Sequence, residues 1–509
     1  MMVKEKKDRE NRKKQKTSPD CDLDGGYCSP IKTLRDVSVE NIRLVLINSR
    51  YAQILLSLTI FGVILRFYNL GYNSLWLDEA VTYETSVKSF GEIWTIISSG
   101  DFNPPLFYWM EHVMLFFGNN EFILRFIPAV LGVLTIPLFY LIGKELLDRN
   151  VGILAATLLA FSSFHIYYSQ EARAYSAMLF FASLSILFFL KAIQENDTKN
   201  WVLFGLFSAV AFWLHFYVIV LIASLILYAL IVQLPRYREN LITIKPVAAG
   251  AITFLVLCFP LIILTIQRFA SRTESAPTFG VQGFAIIFET FRQMSTFGDI
   301  GFFVLVSLFI IGLVQIFMIE KKKGMLILTI LLFTFLISYL LSYKMPMMPR
   351  HLIFLLIIFF MGIALSYRVF YSIFRHYGTL YILVVILIII NIPVLANYYS
   401  GYSKEDWRGF SGKMQNVTQV GDKIVLVPSY MSIPFNYYYS NTTDKTFEYG
   451  ASTVQDLNNI SAQRENGTIF FIVTNDIMAV NPKGDEIVWL KENTKFSGQN
   501  TGIYLFTAD

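Results

Sequence analysis

The feature that most limits this chain is its train of apolar windows, each close to the roughly 20 residues a helix needs to cross a hydrocarbon core. They fall at about 51–70, 123–143, 151–167, 176–192, 201–217, 218–234, 247–266, 301–319, 325–343, 352–370 and 379–397. An α-helical polytopic membrane protein with about eleven transmembrane helices follows from these windows. Composition agrees where it is needed. Only 16% of the 509 residues are charged, against roughly 25% in soluble domains, which excludes one large water-soluble globule. A chain that is 55% hydrophobic and 16% aromatic is also too apolar to be disordered.

The placement of charge orients the spans. Residues 1–50 are polar and carry the basic run KEKKDRENRKKQK, with no apolar stretch close behind as a secretory signal would have. Such a run can bind nucleic acid, but beside a first span it reads as a cytoplasmic tail, and no nucleic-acid partner is expected. With that tail inside, the loops GKELLDRN, QENDTKN, PRYREN, EKKKG and YRVFYSIFRHYG also fall inside, and most are short and basic. The N-terminus is then inside and the C-terminus outside. Residues 51–397 form the membrane domain, and 71–122 form a long first outer loop. The break at His215–Tyr217 is the least secure point of this frame. The segment 104–118 is apolar but short, with Glu111 and His112 in its middle; it suits a helix lying in the interface, and if it crosses, the neighbouring loops change side. Residues 398–509 alternate short apolar runs with helix-compatible stretches and predict a small extracytoplasmic α/β domain. Sequons at Asn416, Asn441, Asn459 and Asn466 agree mildly with an outer location. The three cysteines, Cys21, Cys28 and Cys258, make no disulfide framework.

Several charges stand where the positive-inside rule does not put them. Arg66 and Arg125 sit at outer ends of spans, Glu171 and Arg173 in the outer turn YYSQEARAYS, and Arg268, Arg272 and Arg292 in a later outer stretch. Arg350 and His351 open the tenth span. Any one arginine can snorkel to an interface, but a group of them on the depleted face suits a bound anion, and guanidinium pairs with phosphate bidentately. Asp78 and Glu79 follow Trp76 in NSLWLDEAVTYE. A carboxylate held there against the interface, facing a cationic phosphate site, is placed to take a proton from an incoming hydroxyl.

Four motifs in order, LRFYNLGYNSLWLDEA, FNPPLFYW, NEFILRFIPAVLGVLTIPLFYLIGKELLDRNVGILAATLLA and YYSQEARAYS, resemble the GT-C membrane glycosyltransferases. The resemblance is to the protein O-mannosyltransferase and aminoarabinose-transferase group, glycosyltransferase family thirty-nine. It is dense over about 60–190 and returns at MMPRHLIF and faintly at KEDWRGF. It implies the GT-C fold and transfer of a sugar from a dolichyl or undecaprenyl phosphate carrier to a hydroxyl on a protein, lipid or glycan outside the cytoplasm. By the same resemblance Asp78 is the catalytic base and Glu79 its companion. Arg66, Arg125, Arg173, Arg350 and His351 would hold the carrier phosphate, and Asn103, Tyr168 and Glu171 would position substrate. Asn103 stands where relatives often carry histidine, and an asparagine cannot shuttle a proton near neutral pH.

The expected reaction is one inverting displacement with Asp78 as base and a lipid-phosphate-linked sugar as donor. No metal site with convincing ligand spacing is legible, and a divalent metal stays open. A polytopic transporter or lipid-linked sugar flippase would also have many spans and buried charges; it would predict internally repeated halves, and no repeat is visible.

Overall fold

The computed structural model describes residues 38–508 except 101–102, 240–243, 273–276, 278, 296–297, 375–377, 402, 440–445 and 464–466. The tail through residue 37, Cys21, Cys28 and the sequons at Asn441 and Asn466 lie outside the described residues, as does the side chain of Arg272.

Each apolar window lies on a helix, because a backbone in hydrocarbon must satisfy its own hydrogen bonds. Among the described residues, eight helices are long and apolar enough to cross a membrane: Arg50–Phe67, Glu121–Leu146, Tyr175–Glu195, Lys245–Phe269, Gly301–Ile319, Lys321–Leu341, Leu355–Phe374 and Gly378–Tyr399. A ninth span is the pair Arg149–Phe161 and Ser163–Ser169 if its 61° bend is counted as one crossing. The windows at 201–217 and 218–234 give the helices Thr198–Leu214, of 17 residues, and Val218–Glu239, of 22, separated at residues 215–217. Each of the eleven expected windows therefore lies on helix.

Arg149–Phe161 is the centre of the bundle, with Asn150 to Phe161 all buried. Helices on the outside, such as Arg50–Phe67 and Lys245–Arg272, leave large apolar side chains bare, among them Ile60, Phe61, Val256 and Phe259, as lipid contact allows. Small residues let helices approach closely. A Cβ on Gly312 would lie 1.8 Å from the carbonyl oxygen of Gly362, so Gly298–Ile319 and Leu355–Leu365 cross only because glycine stands there.

The stretch 71–122 carries three short helices, Leu77–Ser86, Phe90–Ser99 and Leu106–Met114. Beyond the last span, strands β1 (Asp422–Val427), β2 (Thr446–Gly450), β3 (Ile469–Thr474), β4 (Lys495–Asn500) and β5 (Ile503–Ala508) form one sheet in the order β2-β1-β3-β5-β4. β1 runs parallel to β2 and β3, while β5 is antiparallel to β3 and β4. Every residue of β1 and β3 is buried, as expected where helices cover both faces. Ile424, Leu426, Phe470 and Ile472 pack on Trp407, Phe410 and Phe435. The alternate residues Val425, Val427, Phe471 and Val473 pack on Leu457, Ile460 and Leu490.

The sheet domain is fastened to the first loop. Tyr438 accepts from the Leu75 amide (2.7 Å) and donates to Glu121 (2.6 Å). Arg408 pairs with Glu121, its amide donates to Ser74 (3.1 Å), and Ser74 reaches Asp406 (3.3 Å).

Candidate functional site

The site is built on the N-terminus of helix Leu77–Ser86, whose first turn carries Asp78 and Glu79, where the helix dipole favours negative charge. The two neighbours point to different fates. Glu79 is fully buried. It accepts from Arg125 Nε and Nη2 (2.7 Å each) and from the Ala172 amide (2.8 Å), and Lys404 Nζ lies 3.1 Å away. Burial alone would raise its pKa, but Arg125, Lys404 and these hydrogen bonds overcome that and hold it at about 2. Arg125 also donates to the carbonyls of Leu70, Asn73 and Ser74. All five of its N–H groups are thereby used, and none remains for a phosphate. Glu79 and Arg125, expected as catalytic companion and phosphate ligand, thus form an internal ion pair that ties the first loop to the second span.

Asp78 is different. Its side chain is 26% exposed, and Arg350 Nη2 stands 3.5 Å from Oδ2 with its own side chain 21% exposed. Arg350 lies over the rings of Trp76 (5.6 Å) and Tyr175 (5.8 Å), and its Nε has no hydrogen-bond partner. The nearby carboxylates and phenols hold its pKa above the ordinary value despite burial. Arg173 donates to the Asp78 carbonyl (3.3 Å) and to Thr82 (3.2 Å), which fixes the turn from below. The result is a carboxylate and a guanidinium, loosely paired and open on one side.

Behind them lies Lys404, which the sequence reading did not assign. Lys404 is buried between Glu79 and Glu171 (3.8 Å), with the rings of Trp76 and Tyr167 on its flanks. It belongs to the KEDWRGF string, and a lysine just past the last outward-going span, where such charges are depleted, was the signal available for it. Neither oxygen of Glu171 has a hydrogen-bond partner. Burial pushes its pKa up to about 7, opposed by Lys404 and reinforced by Glu79.

A pH dependence follows from Glu171. Below its ordinary value of 4.5 the carboxyl is neutral whether the chain is folded or not. Between 4.5 and about 7 only the unfolded chain ionises it, so its stabilising contribution is complete at low pH and lost as pH rises through that window. The melting temperature of the wild type relative to Glu171→Gln is expected to fall as pH rises from below 4.5 to above 7. Parallel melting curves across that range would remove Glu171 as the titrating group.

The other expected residues divide. Arg66 is away from this cluster. It donates to the carbonyls of Gly62, Leu159 and Ala160 and meets His165 Nδ1 at 2.8 Å. Leu159 and Ala160 lie where helix Arg149–Phe161 ends at the bend, so Arg66, expected as a phosphate ligand, caps that break. His351 stacks on Tyr217 (4.7 Å, 10°) and accepts from the Met348 amide. Burial, His215 and two arginines push its pKa well down, which makes it a neutral ring rather than a second cation. Tyr168 packs edge-on to Tyr175 (5.2 Å). Asn103 donates to the Tyr108 hydroxyl (3.4 Å) and lines a small cavity with Arg173 and Tyr175. Arg268 is bonded to the Ser98 carbonyl and Arg292 to Glu289, both outside the cluster. Among the described residues no group of three or more His, Cys, Asp or Glu side chains is arranged to hold a metal ion.

Residues 103–264 match the family model described as dolichyl-phosphate-mannose-protein mannosyltransferase. An uncharacterized protein of Aquifex aeolicus is 35% identical over 132 residues, 24% of this chain and 26% of that one. The undecaprenyl phosphate-alpha-4-amino-4-deoxy-L-arabinose arabinosyl transferase of Wigglesworthia glossinidia brevipalpis is 25% identical over 179 residues, 32% of each chain. The matched stretch thus spans about a quarter to a third of these curated relatives. The fold is shared more widely. ArnT from Cupriavidus metallidurans, solved with undecaprenyl phosphate, superposes with a TM-score of 0.56 at 12% identity over 89% of this chain and 97% of that one. The oligosaccharyltransferase AglB from Archaeoglobus fulgidus, solved with an inhibitory peptide and a dolichol-phosphate, gives 0.52 at 12% identity over 91% and 74%.

Proposed function

We propose that this chain, a multi-pass membrane protein with the fold of the GT-C glycosyltransferases and resembling their protein O-mannosyltransferase and aminoarabinose-transferase types, is a polyprenyl-phosphate-dependent glycosyltransferase. It acts at the outer face of the membrane with Asp78 as base. The observation that carries this reading is the open Asp78–Arg350 pair. The acceptor O–H gives its proton to the Asp78 carboxylate while its oxygen forms a bond to the anomeric carbon from the side opposite the carrier. The bond from that carbon to the phosphate oxygen breaks, and the electron pair leaves with the carrier phosphate. Arg350, with N–H groups to spare, meets the charge that grows on the leaving phosphate, so its help increases toward the transition state. Arg173 keeps Asp78 in place, and Lys404 with Glu171 forms the wall behind.

The test is to expose the purified protein to a panel of polyprenyl-phosphate sugars and to score free carrier phosphate by mass spectrometry. Release from at least one donor supports the reading, and no release from any donor overturns it. Arg350→Ala is expected to lower kcat/KM for the donor by about 10–100-fold, the worth of a charged hydrogen bond of about 1.5–3 kcal/mol. An unchanged kcat/KM would move the phosphate elsewhere.

A further inference from the structure

A cavity of about 210 Å³ lies at the end of the bundle remote from Asp78. Helix Tyr175–Glu195 measures the separation. Tyr175 stands under Arg350, whereas Leu190, Ile193 and Gln194 line this cavity. From Tyr175 to Gln194 the helix rises about 28 Å at 1.5 Å per residue, close to the thickness of a hydrocarbon core. On the next helix, Val218–Glu239, Tyr228 sets its ring 6.2 Å from that of Phe189 and donates its hydroxyl to the Lys322 carbonyl (2.8 Å). Tyr228 thus bridges Tyr175–Glu195 and Lys321–Leu341, and residues of all three helices enclose the cavity.

Its lining divides by depth. Leu190 and Leu326 are buried and lie four residues, about 6 Å, further into the membrane than Gln194 and Lys322. The shallow end carries Lys322, Lys323 and Glu320. Among the described residues the Lys322 ammonium has no ion-pair partner. Lys323 gives one of its three N–H groups to the Glu145 carbonyl (3.4 Å). Glu320 precedes helix Lys321–Leu341 and makes no cap bond with its side chain. Two ammoniums against one carboxylate leave a net charge of +1 above an apolar recess.

We infer that this cavity holds the headgroup of an anionic phospholipid, on the membrane face opposite the Asp78–Arg350 pair. The inference does not depend on the transferase reading. One phosphodiester, of charge −1, balances Lys322, Lys323 and Glu320 together, whereas a zwitterionic headgroup leaves them unbalanced. The Gln194 amide adds a neutral donor at the same level. The recess beneath takes the first carbons of an acyl chain out of water, which a soluble phosphate does not offer. This end also carries the basic string EKKKG, the sign of a cytoplasmic face, and basic pockets between spanning helices on that face suit anionic headgroups.

The experiment titrates the full chain in detergent with phosphatidylglycerol, phosphatidylethanolamine or phosphatidylcholine of equal chain length, read by native mass spectrometry. The wild type is expected to bind phosphatidylglycerol most tightly. Equal affinities, or a preference for either zwitterionic lipid, overturn the inference. Lys322→Ala and Lys323→Ala are expected to weaken phosphatidylglycerol by about 5-fold each and about 30-fold together, and Lys322→Arg to keep it. Lys199 belongs to the same end of the bundle but lies outside the cavity. Lys199→Ala is expected to change the affinity by less than about 2-fold, because an exposed charge at a distance is screened. A loss from Lys199→Ala equal to that from Lys322→Ala would make the attraction the diffuse charge of that face, and overturns the site. Glycerol 1-phosphate, a headgroup phosphate without chains, is expected not to displace the lipid; displacement at equal concentration assigns the cavity to a soluble anion and overturns the lipid. Melting supplies a second readout that allows for a variant of lower stability. Phosphatidylglycerol is expected to raise the melting temperature of the wild type more than that of the double lysine variant, and equal rises overturn the inference.

Discussion

Asp78→Asn is expected to lower sugar transfer by about 10²–10⁴-fold, the usual worth of proton acceptance in the transition state. The side chain keeps its size and its place at the head of helix Leu77–Ser86, so the loss is chemical. The ion pair it gives up is long, at 3.5 Å, and partly exposed, and such pairs contribute about 0–1 kcal/mol. The melting temperature should therefore barely move. Donor KM should stay level or fall, because Arg350 loses a carboxylate that competes with phosphate. Single-turnover mass spectrometry on the reconstituted variant checks this, and near-normal turnover would remove Asp78 as the base.

Arg125→Ala is expected to have the largest effect on stability, a loss of about 3–5 kcal/mol, because it strands a buried carboxylate. Lysine would not rescue it, since one ammonium cannot reproduce five N–H bonds in a fork. Glu79→Ala should fall in the same range, as it strands the guanidinium. The pH sign is opposite to that of Glu171. With Glu79 held at about 2 against an ordinary 4.5, the pair's contribution is present above 4.5 and is lost as pH falls toward 2. Thermal melting in detergent, with and without Arg125, reads both effects. A Glu79→Gln protein that melts like the wild type yet fails to transfer sugar would return Glu79 to the chemistry.

Helices were legible because hydrocarbon leaves a long apolar run few alternatives, and the tight break at 215–217 showed in the spacing alone. The division of labour among the charges was not. Arg66 and Arg125 look alike in sequence, each an arginine near the outer end of a span. What separates them from Arg350 is a set of backbone carbonyls elsewhere in the chain, at the helix end by Leu159 and Ala160 for one and in the turn carrying Leu70, Asn73 and Ser74 for the other. Those partners are fixed by tertiary packing, which periodicity does not encode. Asp78 and Glu79 pose the same difficulty at closer range. Adjacent on one helical turn, they face about 100° apart, and only the position of Arg125 decides which of them is internal.

Lys404 has a consequence for the order in which the molecule is made. Glu79 and Glu171 leave the ribosome early, whereas their shared cation arrives only after the last hydrophobic helix has been threaded. A nascent chain halted before that residue carries two neighbouring acids, with Arg125 on Glu79 and only the more distant Arg350 acting on Glu171. The pocket thus acquires its working electrostatics at the final stage of biogenesis, and a molecule whose insertion stalled or inverted would arrive at the membrane chemically incomplete.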